Sequence, residues 1–276
     1  MKILVDTIPL GKTTTYPQQY DPTLLFAVPR KIKRDELYLG DNLPFVGEDL
    51  WNGYELSWLN MRGKPVVALA VFRFPCTAEF LVESKSFKLY LNSLNQSRFA
   101  DFTQVQQLLQ NDLSKLAGQN VMVELMEVDA IDNWQVMRMP GECLDDIDIE
   151  VEHYQLKEDL LYQCADEDNV VRESLFSHLL KSNCLITSQP DWASIWIDYR
   201  GGKIDRAALL AYLISFRQHN EFHEQCVERI FTDLMRFCNP EQLTVYARYT
   251  RRGGLDINPW RSTHQSVAPN WRMSRQ

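Results

Sequence analysis

Cys184 and Asp191 stand seven residues apart in NCLITSQPDWASIWIDYRG, with Pro190 between them. A thiolate adds to an electrophilic carbon, and an acid must then protonate the anion that develops. Asp191, across a tight turn at Pro190, could supply that proton. The polar neighbours Ser182, Asn183, Thr187, Ser188 and Gln189 predict a loop or strand end at Cys184 rather than core. The competing reading is a small buried hydrophobe, the usual fate of a free cysteine. The residues alone leave both standing.

Three other segments carry chemistry-bearing side chains. In HNEFHEQC (219–226), His219 and His223 share the four-residue spacing of helical metal ligands, with Glu224 and Cys226 nearby. Asn220, read as the helix cap, would put His219 outside the helix and spoil that face. The segment is otherwise a polar first turn whose Glu221 and Glu224 suit the positive helix end, or a His–Glu pair facing the N–H donors of a heterocycle. In FLVESKSFKLY (80–90), Ser84 or Ser86 reads as an N-cap. Alternatively, Ser84 and Lys85 make an anion site at a helix start, with the carboxylate of Glu83 beside it. In RYTRRGGLDINPWRS (248–262), Arg251 and Arg252 before Gly253 and Gly254 form either a basic hairpin turn or a phosphate site of forked hydrogen bonds. No GxGxxG occurs, so a nicotinamide nucleotide would bind outside a Rossmann fold.

The elements that must hold these residues follow from periodicity. Strands are predicted at 54–60 and 66–74 about a turn at 62–64. Helices follow at 84–97, with Phe87, Tyr90, Leu91 and Leu94 as its stripe, and at 103–117, with Val105, Leu108, Leu109, Leu113 and Leu116. A strand then carries Val121, Val123 and Leu125 on one face. The order returns with strands near 180–187 and 194–200, and a helix capped by Asp205 that buries Leu209, Leu213 and Phe216. A second helix after Asn220 buries Val227, Ile230, Phe231, Leu234 and Cys238, and the strand 243–249 closes the set. The pattern predicts an α+β unit repeated in tandem. The boundaries are an arm at 1–45, a first module at 46–139, an acidic linker at 140–155 and a second module at 156–276.

Composition narrows the function. With 276 residues, 45% of them hydrophobic, the chain can build a real core. A net charge of −8 argues against broad nucleic-acid binding. No apolar run reaches the roughly 20 residues of a membrane span, and MKILVDTIPLGK meets Asp6 too soon for a signal peptide. The expected location is the cytoplasm, with the six cysteines as reduced thiols. None forms a CxxC, so no structural zinc is expected.

ESKSFKLYLNSL closely resembles the signature of the nitrile oxidoreductases that reduce 7-cyano-7-deazaguanine in queuosine biosynthesis. CLITSQPDWAS is similar to that family's nucleophile segment and FHE to its substrate-binding pair. RRGGLDINPWRS resembles its C-terminal cofactor segment, and YPQQYDPTLLFAVPR its N-terminal arm. The resemblance spans nearly the whole chain and points to the longer, two-module subfamily. It implies tandem tunnelling-fold modules, each an antiparallel four-stranded sheet with two helices on one face, closing into barrels in a homodimer. By the same resemblance Cys184 attacks the nitrile to form a thioimide, Asp191 protonates the nitrogen, and His223 takes part in proton transfer. The backbone at Val82, with Glu83, Ser84, His223 and Glu224, would hold the guanine-like substrate. Ser84, Lys85, Arg252 and Gly253 would sit against NADPH, two of which are used and no metal. The rival expectations are a zinc-dependent pterin or purine hydrolase of the same fold and a non-catalytic purine-binding module.

Overall fold

A computed structural model describes residues 17–130 and 135–276. The first sixteen residues of the expected arm, and 131–134 of the expected first module, lie outside the described residues. In chain order the elements are β1 (Ala27–Pro29), α1 (Lys31–Glu36), β2 (Val46–Leu59), β3 (Pro65–Pro75), β4 (Phe80–Val82), α2 (Ser84–Ser93), α3 (Phe102–Ala117) and β5 (Met122–Met126). Then come β6 (Glu142–Cys143), β7 (Ala165–Ser177), β8 (Lys181–Asn183), β9 (Pro190–Ile204), α4 (Arg206–Ser215), α5 (His223–Cys238), β10 (Gln242–Tyr249) and β11 (Leu255–Ser262). Among the described residues no helix is long and apolar enough to cross a membrane.

The chain divides into two compact units, each mixed α and β. One takes the described residues of Met1–Ile32, Leu50–Gln135 and Arg251–Asp256; the other takes Lys33–Asp49, Val136–Thr250 and Ile257–Gln276.

In the first unit β2, β3 and β5 are sheet neighbours in that order, with β3 and β5 antiparallel. Gly63, at φ +83°, makes the β2–β3 turn that the Arg62-Gly63-Lys64 run predicts. Ala68, Ala70, Phe72 and Phe74 alternate into the core, where Phe87 meets Trp51 and Phe72 edge-on and Trp51 lies tilted against Phe74. Helix α3 begins at an Asp101 cap whose side chain accepts from the Gln104 amide, and ends at Gly118 in the left-handed conformation. Val105, Leu109, Leu113 and Ala117 are its fully buried face. Helix α2 is shorter than its stripe predicts. It stops at Ser93, whose hydroxyl donates to the Tyr90 carbonyl while the Leu94 amide folds back on Leu91.

The second unit holds four antiparallel strands in the order β11–β10–β9–β7, with two-residue β6 added in parallel beside β7. Ile195, Ile197 and Tyr199 of β9 face inward, as their alternation requires, and Val245 and Ala247 of β10 lie in the same core. Asp205 caps α4 through the Ala208 amide, as predicted. Two strands carry no readable sequence signal. Only two of the thirteen residues of β7 are buried, so ADEDNVVRESLFS shows no apolar period. All of β11 is buried, yet its polar side chains are satisfied internally and LDINPWRS looks like a loop. The strand predicted near 180–187 is only Lys181–Asn183, because the chain turns at once after Cys184.

Candidate active site

The second unit gathers Cys184, Asp191, His223 and Glu224. Cys184 leaves the end of β8 and opens a turn closed by two hydrogen bonds: its amide donates to Gln189 O at 2.8 Å, and the Ser188 amide donates to Cys184 O at 3.0 Å. The turn therefore spans the residues before Pro190. Pro190 is already in strand, opposite Asn183, which corrects the expected turn at Pro190. Ser182 is paired with Asp191 across the same hairpin. Paired residues share a face, so Ser182 and Asp191 point to one side, and Cys184 follows one residue beyond the end of β8. Asp191 is 2% exposed while Cys184 remains half-buried, so the thiol is reachable and the acid is enclosed.

Helix α5 enters this face by a stitched approach. The Asn183 amide donates to His219 O at 2.8 Å, and the Glu221 amide donates to Asn183 O at 3.0 Å. Asn183 also donates through its side chain to Asn220 Oδ1, and Asn220 Nδ2 donates to Ser188 Oγ. Asn220 thus ties the helix entry to the cysteine turn and is not the helix cap; that position falls to Phe222, with no side-chain cap bond. The stitching sets His223 with Nε2 3.7 Å from Asp191 Oδ1 and its ring edge-on to Tyr249 at 4.1 Å. Glu224, one residue on, is buried in the first helical turn. His219 points elsewhere, to Glu221 at 3.0 Å, and Glu221 is also gripped by Arg229. Among the described residues no three His, Cys, Asp or Glu side chains are gathered as a metal site.

The first unit gathers Val82, Glu83, Ser84 and Lys85 with Arg252 and Gly253. Val82 pairs with Ala27, and the Glu83 amide donates to Phe26 O, which fixes the start of α2. Glu83 itself is the N-cap, not Ser84 or Ser86. Its two carboxylate oxygens accept from the Lys85 and Ser86 amides at 2.8 Å each. Burial raises its pKa above the ordinary carboxylate range, partly offset by those two amides and by the charges of Lys88 and Lys85. Each oxygen keeps a second lone-pair direction for a ligand N–H. Ser84 and Lys85 are half-buried on the first turn. Gly253 and Gly254 adopt φ +59° and +80°. A Cβ on Gly253 would lie 3.2 Å from Lys88 Cδ, and one on Gly254 would lie 3.0 Å from Glu55 Cγ. They form one wall of a cavity of about 220 Å³ that Lys88 and Asn92 line from α2 and Asn95 from just beyond its end.

Sequence reading missed Ser182, Tyr249 and the anchoring role of Asn220. The signal for Tyr249 was present in the alternation of LTVYARY. What it lacked was the identity of the neighbouring strand.

Comparison with known proteins shows the family. A family profile described as "Nitrile reductase, 7-cyano-7-deazaguanine-reductase N-term" matches residues 16–125, and one described as "QueF-like protein" matches 190–268. A protein of Colwellia psychrerythraea named NADPH-dependent 7-cyano-7-deazaguanine reductase is 57% identical over 272 residues, covering 97% of this chain and 95% of its own. The chain belongs to the 7-cyano-7-deazaguanine reductase family. A protein of the same name from Hydrogenovibrio crunogenus is 58% identical over 268 residues, covering 97% and 96%. Among solved structures, the apo form of the archaeosine synthase QueF-Like matches at 18% identity and a TM-score of 0.30, covering 36% of this chain and 96% of that one, a likeness too slight to carry fold or function.

Proposed function

We propose that the chain reduces the nitrile of 7-cyano-7-deazaguanine to the primary amine with two NADPH, through a covalent thioimide on Cys184, in the biosynthesis of queuosine for tRNA. The observation that carries the reading is a reachable thiol just past the end of β8 and an enclosed acid on β9, the strand paired with it. The names of the relatives supply the substrate and the co-substrate.

A nitrile accepts hydride poorly. Addition of the Cys184 thiolate to its carbon, with proton transfer from Asp191 to its nitrogen, gives a more electrophilic thioimide. Asp191 ends this step as an anion. His223, whose Nε2 lies 3.7 Å from Asp191 Oδ1, would exchange protons with it before the second reduction. When bound, NADPH supplies the hydrides that take the thioimide through an imine to the amine. Ser84, Lys85, Arg252 and Gly253 would hold it, and the glycine wall that a Cβ would fill is consistent with a close-fitting ligand there. Within the first unit Glu83, with Ser84 and the Val82 backbone, and within the second unit Glu224, with His223, would each accept N–H donors of a deazaguanine edge.

The same reading takes the chain as two tunnelling-fold modules, at 46–139 and 156–276, after an arm at 1–45 and about a linker at 140–155. It acts in the cytoplasm as a homodimer.

Intact mass spectrometry of the protein mixed with 7-cyano-7-deazaguanine, without NADPH, tests the central claim. The expected result is a one-to-one adduct located on Cys184 by peptide mapping. Turnover of the nitrile by protein that never carries this adduct would overturn it.

A further inference from the structure

Two hydroxyl oxygens beside the reacting pair, Ser182 Oγ and Tyr249 Oη, are buried and make no hydrogen bond among the described residues. Such groups are rare and costly to keep. Their positions follow from register. Ser182 pairs with Asp191 across β8 and β9, and Tyr249 pairs with Ala193, two residues further along β9. Ser182, Asp191, Ala193 and Tyr249 are therefore one row of side chains on three adjacent strands, sharing a face. All four are at most 2% exposed. Helix α5 lies over the row, with His223 edge-on to the Tyr249 ring and Cys226 buried in the next turn. The electrostatics agree. Tyr249 is pushed far up by burial first, then by Cys226 and Asp191.

We propose that Ser182 and Tyr249 are positioning residues whose hydroxyls turn toward Asp191 and donate hydrogen bonds to it as it becomes an anion during thioimide formation. The inference rests on the covalent reading above. In that step the Cys184 thiolate forms the C–S bond, one π bond of the nitrile is lost, and the proton held by Asp191 moves to nitrogen. The two hydroxyls keep their own protons throughout. They are free to rotate about their C–O bonds, and a carboxylate accepts more strongly than a neutral carboxyl, so the bonds they donate strengthen as Asp191 ionises. That is stabilisation greater in the transition state than in the ground state.

Ser182→Ala and Tyr249→Phe test this, since the second keeps the ring against His223 and removes only the oxygen. Thioimide formation is followed by rapid quench and intact mass in protein mixed with 7-cyano-7-deazaguanine alone. Nitrile affinity is measured by calorimetry in the Cys184→Ala background. Each variant is expected to slow adduct formation by at least about tenfold, the effect of one hydrogen bond to a charged group, with affinity nearly unchanged. Ser182→Thr is expected to restore the rate. Adduct formation at the parental rate in both variants, or rate and affinity falling together, overturns the proposal. Absence of any adduct in the parental protein is a different result: it overturns the covalent reading, and this inference with it.

Discussion

The imidazole of His223 stands 3.7 Å from the carboxylate of Asp191, although the two residues come from a helix and a strand thirty-two positions apart. The contact exists because Asn183 and Asn220 stitch the start of α5 to the end of β8, one residue before Cys184.

Cys184→Ala is expected to abolish NADPH oxidation with the nitrile and to leave the fold intact, because the thiol is only half-buried and contributes little packing. Asp191→Asn is expected to slow thioimide formation more than it weakens nitrile binding. Stopped-flow absorbance and calorimetry separate the two, and equal losses would recast Asp191 as structural.

Glu83 gives a pH dependence. Its pKa is raised by burial, so on acidification it takes up a proton earlier than an ordinary carboxylate would. A protonated Glu83 loses acceptor capacity for the substrate N–H groups. Nitrile affinity in Cys184→Ala should therefore fall as pH is lowered, starting above the usual carboxylate range. Glu83→Gln should bind about tenfold more weakly and show a flatter profile.

Glu228 accepts from two buried arginines. Arg34 reaches its two oxygens at 2.6 and 2.9 Å, and Arg261 reaches Oε1 at 2.8 Å. Glu228→Ala removes the shared anion and should destabilise the protein by about 3–5 kcal/mol, as expected when one side of a buried ion pair is lost. The urea midpoint checks this.

Asp233 is buried and accepts from Tyr212 Oη at 2.6 Å, and burial raises its pKa to about 6. Because the folded pKa lies above the unfolded one, its favourable contribution is complete below the unfolded value and is lost as pH rises through about 6. The melting temperature of the parental protein should rise relative to Asp233→Asn as pH is lowered from about 8 to about 5. A constant difference would refute a raised pKa at this site.

Much of the core was legible because burial leaves a period. The stripes of α3 and α5 and the alternation of β9 each predicted their buried face. The cap at Asp205 was legible for the same local reason, a short acceptor one step before the helix. Glu83 was not recognised as a cap, because its longer side chain reaches back to two amides only once β4 and the Phe26 carbonyl fix the entry angle. Asn220 was misread in the opposite sense. It has a cap's chemistry, but its amide found better partners in Asn183 and Ser188.

The sequence by itself determined the chemistry on offer: a thiol, an acid seven residues on, a His–Glu pair at a helix start and a glycine pair after two arginines. It determined which face of each regular element is buried, since period depends only on local order. Tertiary structure decided which of those groups meet. The row Ser182, Asp191, Tyr249 is a property of strand register, and register is set by pairing between segments distant along the chain. For that reason Tyr249 stands two residues from Asp191 across the sheet while nearly sixty residues separate them in sequence.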